Sequence, residues 1–328
     1  MLRILKQNSL VSLILLILLT AILKARYILH PPDISTLEGF QKGTLFTFTQ
    51  LSKLYANHPS LYIVLSTIMS LFFSLYINHI MNREKLQSQK SYLPAFSFIL
   101  FTSFLPILSI FSMVFISSIV LFSALAKTWQ RYHNTNARKE SFDIGLLVSL
   151  AVLLYFPSML LILLFPIFML IMRPINLKEM VAYSIGMFIP LYMGIAWIYL
   201  QGNLPNWSQV LYFHITLPLK TIPLLTLAIT TVTSFSVILY GFYIINSNST
   251  KNAMAVRKKW NVMGIYLGVS VVTGIFSRVF PGITWVMMAI PVSIILSQAF
   301  LHNKEKYNTF TFYFLLLTVM AVQWLFKT

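Results

Sequence analysis

Apolar runs about as long as a bilayer is thick recur along the chain, separated by short segments that carry Lys and Arg. Roughly 20 apolar residues cross hydrocarbon as a helix, because lipid offers backbone N–H and C=O groups no partner outside the helix itself. The first run, 9–23, follows Arg3 and Lys6 and has the look of a secretory signal. It ends Ala21-Ile22-Leu23-Lys24-Ala25 with no small-x-small cleavage site, which predicts an uncleaved signal anchor. Further uncharged stretches lie at 59–82, 91–126, 144–172, 180–200, 221–246, 260–277, 279–301 and 307–326. The fold class expected is all-α: a polytopic transmembrane helix bundle forming one transmembrane domain over 1–328.

Two stretches admit two readings. Residues 91–126 contain Pro94 and Pro106, and 144–172 contain Pro157 and Pro166. Proline removes a backbone donor and favours a bend, so each stretch could be a hairpin rather than one crossing. Loop charge discriminates. With the N-terminus inside and both stretches taken as hairpins, 17 basic residues fall on the inside and 7 outside. Cytoplasmic loops are enriched in Lys and Arg. This favours about 11 helices, with the N-terminus in and the C-terminus out, over an alternative of about 9. Residues 144–172 are too few for two full perpendicular spans at about 1.5 Å per residue, so partial or buried helices are implied. Tyr27, Trp129, Trp197, Tyr199, Trp260, Tyr307 and Trp324 fall near expected interfaces, where amphipathic rings prefer to sit.

Composition supports this picture. Of the 328 residues, 58% are apolar and 9% charged. Soluble domains carry roughly 25% charged residues, so an ordinary cytosolic enzyme and a disordered chain are both excluded. The net charge of +17 would point to nucleic acid in a soluble protein, but here it belongs to the loops. No nucleic-acid partner is expected. Cysteine is absent, which removes disulfides, thiolate metal sites and a catalytic thiol.

The seven acidic residues are Asp33, Glu38, Glu84, Glu140, Asp143, Glu179 and Glu305, and none lies in the middle of an apolar run. Ion and proton pathways place ionisable groups inside the membrane, so a carboxylate-driven pump is not expected. Only Asp33 and Glu38 fall outside, in the first outer loop at 24–58. They are the candidate catalytic carboxylates on that face. Residues 37–55 mix apolar and polar positions at helical spacing, as an interfacial amphipathic helix would; in that case Asp33 could equally be its cap. Arg26, His30, Lys42 and His58 are candidate phosphate-binding residues. A second outer loop spans 201–220 and holds His214. Spacing gives no metal site. Asp143 and Glu179 stand where a carboxylate would cap a helix start, and Arg257-Lys258-Lys259 reads as a topology determinant and an anchor to anionic lipid. Nucleotide-binding glycine motifs, HExxH and a nucleophile elbow are absent from the sequence.

Asp33, then 37–55, then His58-Pro59 at the second span, resembles the GT-C class of glycosyltransferases, which take sugars from polyprenyl-phosphate carriers. Residues 142–150, then Pro157, Met172-Arg173-Pro174 and Gly186-Met187-Phe188-Ile189-Pro190, look like the middle spans of that class. Members usually carry paired acids after the first span; here Asp33 and Glu38 stand apart, and the C-terminal soluble domain of many members is missing. The sequence also resembles an uncharacterised family of bacterial multi-pass inner-membrane proteins. The resemblance implies a transferase acting on lipid-linked sugars in envelope glycan assembly. Asp33 would be the base, Arg26, His30 or Lys42 would stabilise the leaving phosphate, and a divalent metal would accompany the polyprenyl-phosphate substrate. The alternatives are a non-catalytic membrane scaffold or assembly component working with other membrane proteins, and a carrier of lipid-linked substrate. Membrane lipids are expected partners under every reading.

Overall fold

The computed structural model describes residues 1–31, 57–132, 134, 136–200, 224–248, 253–275, 285–302 and 305–325. These residues form helices joined by turns, with no strand among them. A short helix α1 (Leu2–Leu5) precedes α2 (Leu10–Leu29) and α3 (Pro59–Arg83). Residues 91–126 divide into α4 (Leu93–Thr102), one turn of α5 (Pro106–Ser109) and α6 (Met113–Gln130). The 144–172 stretch divides into α7 (Arg138–Leu154), a 3₁₀ turn (Phe156–Met159) and α8 (Leu160–Met172). Then follow α9 (Leu177–Leu200), α10 (Leu224–Ser247), α11 (Met254–Ile275), α12 (Val286–His302) and α13 (Glu305–Leu325). Five helices among the described residues are long and apolar enough to cross a membrane. Large apolar side chains cover the outer surface, among them Leu163, Leu177, Phe188 and Tyr192. Water would not tolerate such a surface on a folded chain, whereas lipid favours it.

Hydrogen bonds fix the directions of the helices. Phe111 N–H donates to Ser66 Oγ (3.1 Å), Tyr76 pairs with Ser123 (2.8 Å) and Gln130 donates to Glu84 (3.4 Å), so α3 and α6 run parallel. Between them the chain must return, and α4 makes the return. It starts at the α1 end, where Tyr92 N–H donates to Leu5 O (3.0 Å). It stops short, with Ser103 beside Leu23 and Tyr27 of α2. Ten residues of helix cover about 15 Å. The carbonyls at its end are therefore left inside the apolar layer without helical partners.

Side chains supply those partners. Ser103 O accepts from Tyr27 Oη and from Gln323 Nε2, both at 3.0 Å, and Thr102 O accepts from Ser109 Oγ at 2.7 Å. Phe111 O accepts from Tyr62 Oη, and Ser112 caps α6 by accepting from Phe115 N–H at 3.2 Å. Irregular backbone at membrane depth is tolerated where protein satisfies it in this way.

The second divided stretch also turns back. Lys127 meets Asp143 (2.9 Å) and Ser117 donates to Ala151 O (3.0 Å), so α6 and α7 are antiparallel. Ala137 and Arg173, at the two ends of the α7–α8 pair, both bond Glu179, so that pair begins and finishes at one end of the bundle. Next, α9 runs alongside α7 in parallel. A Cβ on Gly145 would stand 2.2 Å from Tyr183 O, and one on Gly186 would stand 2.2 Å from Phe142 O. Only residues without a side chain let the two backbones approach this closely.

At the centre, α12 is buried over Val286–Leu301, as befits a helix that is apolar all round. Phe96 of α4 stacks on Phe312 of α13 (4.9 Å) and lies near Phe300 of α12 (6.3 Å). Trp129 and Trp260, expected at interfaces, are interior; Trp197 and Trp324 are exposed as expected.

Candidate functional site

The candidate phosphate-binding residues start on α2. Ser12, Leu16, Leu19, Thr20, Leu23, Lys24 and Tyr27 recur at helical spacing and form its buried stripe. The helix continues past Leu23, where the sequence placed its end, to Leu29. Lys24, Arg26 and Tyr27 therefore lie on the helix and not in a loop. Leucine, alanine and arginine are good helix formers, so the helix carries on through Lys24. Lys24 is fully buried and donates to Ser70 Oγ of α3 at 2.7 Å. An ionisable group that faces the protein interior within an apolar helix marks a functional position by default. The clue available in the sequence was Lys24 itself, three residues before Tyr27 on one helical face.

Arg26 and His30 come together. With Gln323 and Trp324 of α13, and Ile22, Leu29 and Met320, they wall a groove of about 440 Å³ at the end of the bundle opposite α1. The Arg26 guanidinium lies over the Trp324 ring at 4.9 Å, which orients the cation at the groove wall. Gln323 reaches behind the groove to Leu23 O (2.8 Å) and Ser103 O, tying α2, α4 and α13 into one wall. His58 is the residue before α3; it is exposed and does not line this groove. Asp33, Glu38 and Lys42 lie outside the described residues. So do 37–55, apart from which the first outer loop keeps only its two ends, and the second outer loop at 201–220 with His214. No three His, Asp or Glu converge among the described residues, so they offer no cage for a divalent metal.

The opposite end of the described bundle is rich in charge, and its acids Glu84, Asp143 and Glu179 stand in ion pairs. Arg131, fully buried, donates from Nη2 to Glu179 Oε2 at 2.6 Å and from Nη1 to Met169 O at 3.1 Å. Arg173 pairs with the second Glu179 oxygen, which also accepts from Ala137 N–H at 3.3 Å. Burial holds the Arg131 guanidinium below its ordinary pKa, and its bond to Glu179 opposes that shift. Glu179 does begin a helix, but its partners are two arginines from neighbouring segments. Asp143 sits a turn and more inside α7, paired with Lys127, and caps nothing.

Glu84 gathers Lys259 (2.9 Å), Arg83 (3.3 Å) and Gln130. Just beyond it Lys85 takes a positive φ of 52° and Leu86 N–H bonds Met81 O (3.3 Å), a left-handed close to α3. These pairs tie segments together and occupy Glu84, Asp143 and Glu179 in structural contacts.

Comparison with known families places residues 43–328 within a single family model, DUF6427, described as a family of unknown function. The chain belongs to that family. No curated protein and no solved structure matches it significantly. The resemblance to GT-C glycosyltransferases thus rests on the sequence features alone.

Proposed function

We propose that the chain is a multi-pass protein of a bacterial inner membrane, with its basic end in the cytosol, that handles a lipid-linked phosphate at the opposite end. The observation that carries this reading is the Arg26–His30 groove. It joins a guanidinium and an imidazole to an aromatic face and three apolar walls. Cationic donors recognise a phosphate, and the apolar walls suit a prenyl chain entering from lipid. The groove also lies at the end away from the cationic loops, which the distribution of Lys and Arg assigns to the outside.

The reaction best matched to such a site is transfer of a sugar from a polyprenyl phosphate in envelope glycan assembly. Asp33 is three residues from His30 in the sequence, so the chain tethers it within about 11 Å of the groove. It would take the proton of the acceptor hydroxyl while Arg26 and His30 stabilise the phosphate that leaves. Glu38 and Lys42 belong to the same loop and would assist.

The test is replacement of the chromosomal gene by Asp33→Asn and Arg26→Gln variants that reach normal levels in the membrane. Lipid-linked sugar should accumulate and the envelope glycan should fall in both. Unchanged glycan in both refutes the transferase. If deletion of the gene then disturbs the envelope through loss of co-isolating membrane proteins, the scaffold reading replaces it.

A further inference from the structure

The run Arg257-Lys258-Lys259 separates in three directions. Lys259 is buried on Glu84, with its Nζ 2.9 Å from both the carbonyl and the carboxylate of that residue. Lys258 donates to Met172 O at 3.0 Å and lies over the Tyr132 ring at 5.4 Å. Arg257 turns the other way, into a groove of about 960 Å³ between α10 and α11. Its side chain has no ion pair or hydrogen bond among the described residues, and the same holds for Asn246 and Asn261 beside it.

The groove has a polar head and an apolar body. Arg257, Asn261, Gly264, Ile265 and Gly268 follow one another on one stripe of α11 at helical spacing. A Cβ at Gly264 would touch only the Phe242 ring, at 3.5 Å, and one at Gly268 would meet nothing within 4 Å. Gly264 thus leaves room in the groove below the polar head, and exposed Gly268 keeps the same helix stripe low one turn beyond it. Exposed Val272 continues the stripe. From Asn261 to Val272 the helix rises about 16 Å, close to half of a 30 Å hydrocarbon core. Arg257 stands with the cationic end of the bundle, where anionic headgroups concentrate against a basic surface.

We propose that this groove binds one anionic membrane phospholipid. Its phosphodiester sits on Arg257 between the amides of Asn246 and Asn261, and an acyl chain leaves the groove past Gly264 and lies along the exposed Gly268–Val272 stripe. The site requires only that the chain be embedded in a bilayer, and it is independent of the chemistry proposed at Arg26 and His30.

The full-length chain in mild detergent, titrated with phosphatidylglycerol, phosphatidylethanolamine or inorganic phosphate and read by native mass spectrometry, tests it. One phosphatidylglycerol per chain should be retained in preference to phosphatidylethanolamine. Arg257→Gln should weaken that binding about tenfold or more, as loss of a charge-assisted hydrogen bond implies. Gly268→Leu, which puts bulk on that stripe and spares the cation, should also weaken it. Lys139→Gln, removing an exposed cation at the same end, should not. Equal retention of the two lipids, or phosphatidylglycerol binding unchanged in both Arg257→Gln and Gly268→Leu, overturns the proposal. Displacement of the lipid by millimolar inorganic phosphate would reduce the groove to a simple anion site and overturn the lipid assignment.

Discussion

Removing the Glu179 carboxylate should loosen the base of the α7–α8 pair more than any other single change among the ion pairs. The residue accepts from Arg131, Arg173 and the Ala137 N–H, and is itself 2% exposed. In Glu179→Leu all three donors lose their acceptor, and Arg131, with no exposed surface, keeps only Met169 O. Breaking one side of a buried ion pair costs about 3–5 kcal/mol, because the surviving charge stays out of water. For a chain of this size each kcal/mol moves Tm by about 2 °C, giving a fall of about 6–10 °C. Glu179→Gln keeps one acceptor and gives up the charge, so its loss should be about 1.5–3 kcal/mol.

Thermal unfolding of the purified protein in detergent, followed by tryptophan fluorescence, measures both. Glu140→Gln removes the same charge from an exposed contact with Asn134 and should stay within about 0.5 kcal/mol of the parent. Replacing Arg131, Glu179 and Arg173 together by Met, Leu and Met should recover most of the loss, since no charge is then stranded. A Glu179→Leu protein as stable as the parent, or more stable than Glu179→Gln, refutes this account of the knot.

Three further outcomes are expected. Gly145→Ala and Gly186→Ala should each destabilise by about 1–3 kcal/mol, because the added carbon meets a backbone oxygen at 2.2 Å, whereas Gly268→Ala should be neutral or stabilising in the same melt. Tyr27→Phe alone leaves Ser103 O the Gln323 amide and Gln323→Leu alone leaves it the Tyr27 hydroxyl, so the double variant should lose more than the sum of the two, as an equilibrium double-mutant cycle would show. Lys24→Met should leave the melt unchanged or raise it, since it replaces a desolvated amine with an apolar chain of similar length; a fall of several degrees would contradict the reading that Lys24 is held for function.

The long helices could be read from the sequence because their signal is local. The stretch expected at 59–82 is the helix Pro59–Arg83, and that expected at 180–200 is Leu177–Leu200. Both divided stretches were also marked, by their prolines, since a missing N–H weakens a helix wherever it occurs. The structure adds where each stretch turns. In 91–126 that depends on Tyr27, Tyr62, Ser66 and Gln323 arriving from other helices to satisfy freed carbonyls and amides, which no local pattern records.

Pairing of charges was equally hidden. Asp143 and Glu179 look like helix caps in sequence, but their cations come from other segments: Lys127 of α6, Arg131 at its end and Arg173 after α8. Arg26 and His30 stand one helical turn apart, but as residues of an expected loop they carried no sign of being a pair. Trp324, which completes their groove, lies nearly 300 residues away.

The central claim is that the cationic end faces the cytosol and that the 91–126 and 144–172 stretches each return to it. The chain has no cysteine, so single cysteines report without background. Asn136 is exposed in the turn between α6 and α7 and is the position on which the two counts of crossings disagree. Asn136→Cys should resist a membrane-impermeant maleimide in intact spheroplasts and react once the membrane is opened. Labelling in intact spheroplasts, with Ser88→Cys still protected, would contradict the arrangement and place the α6–α7 turn outside.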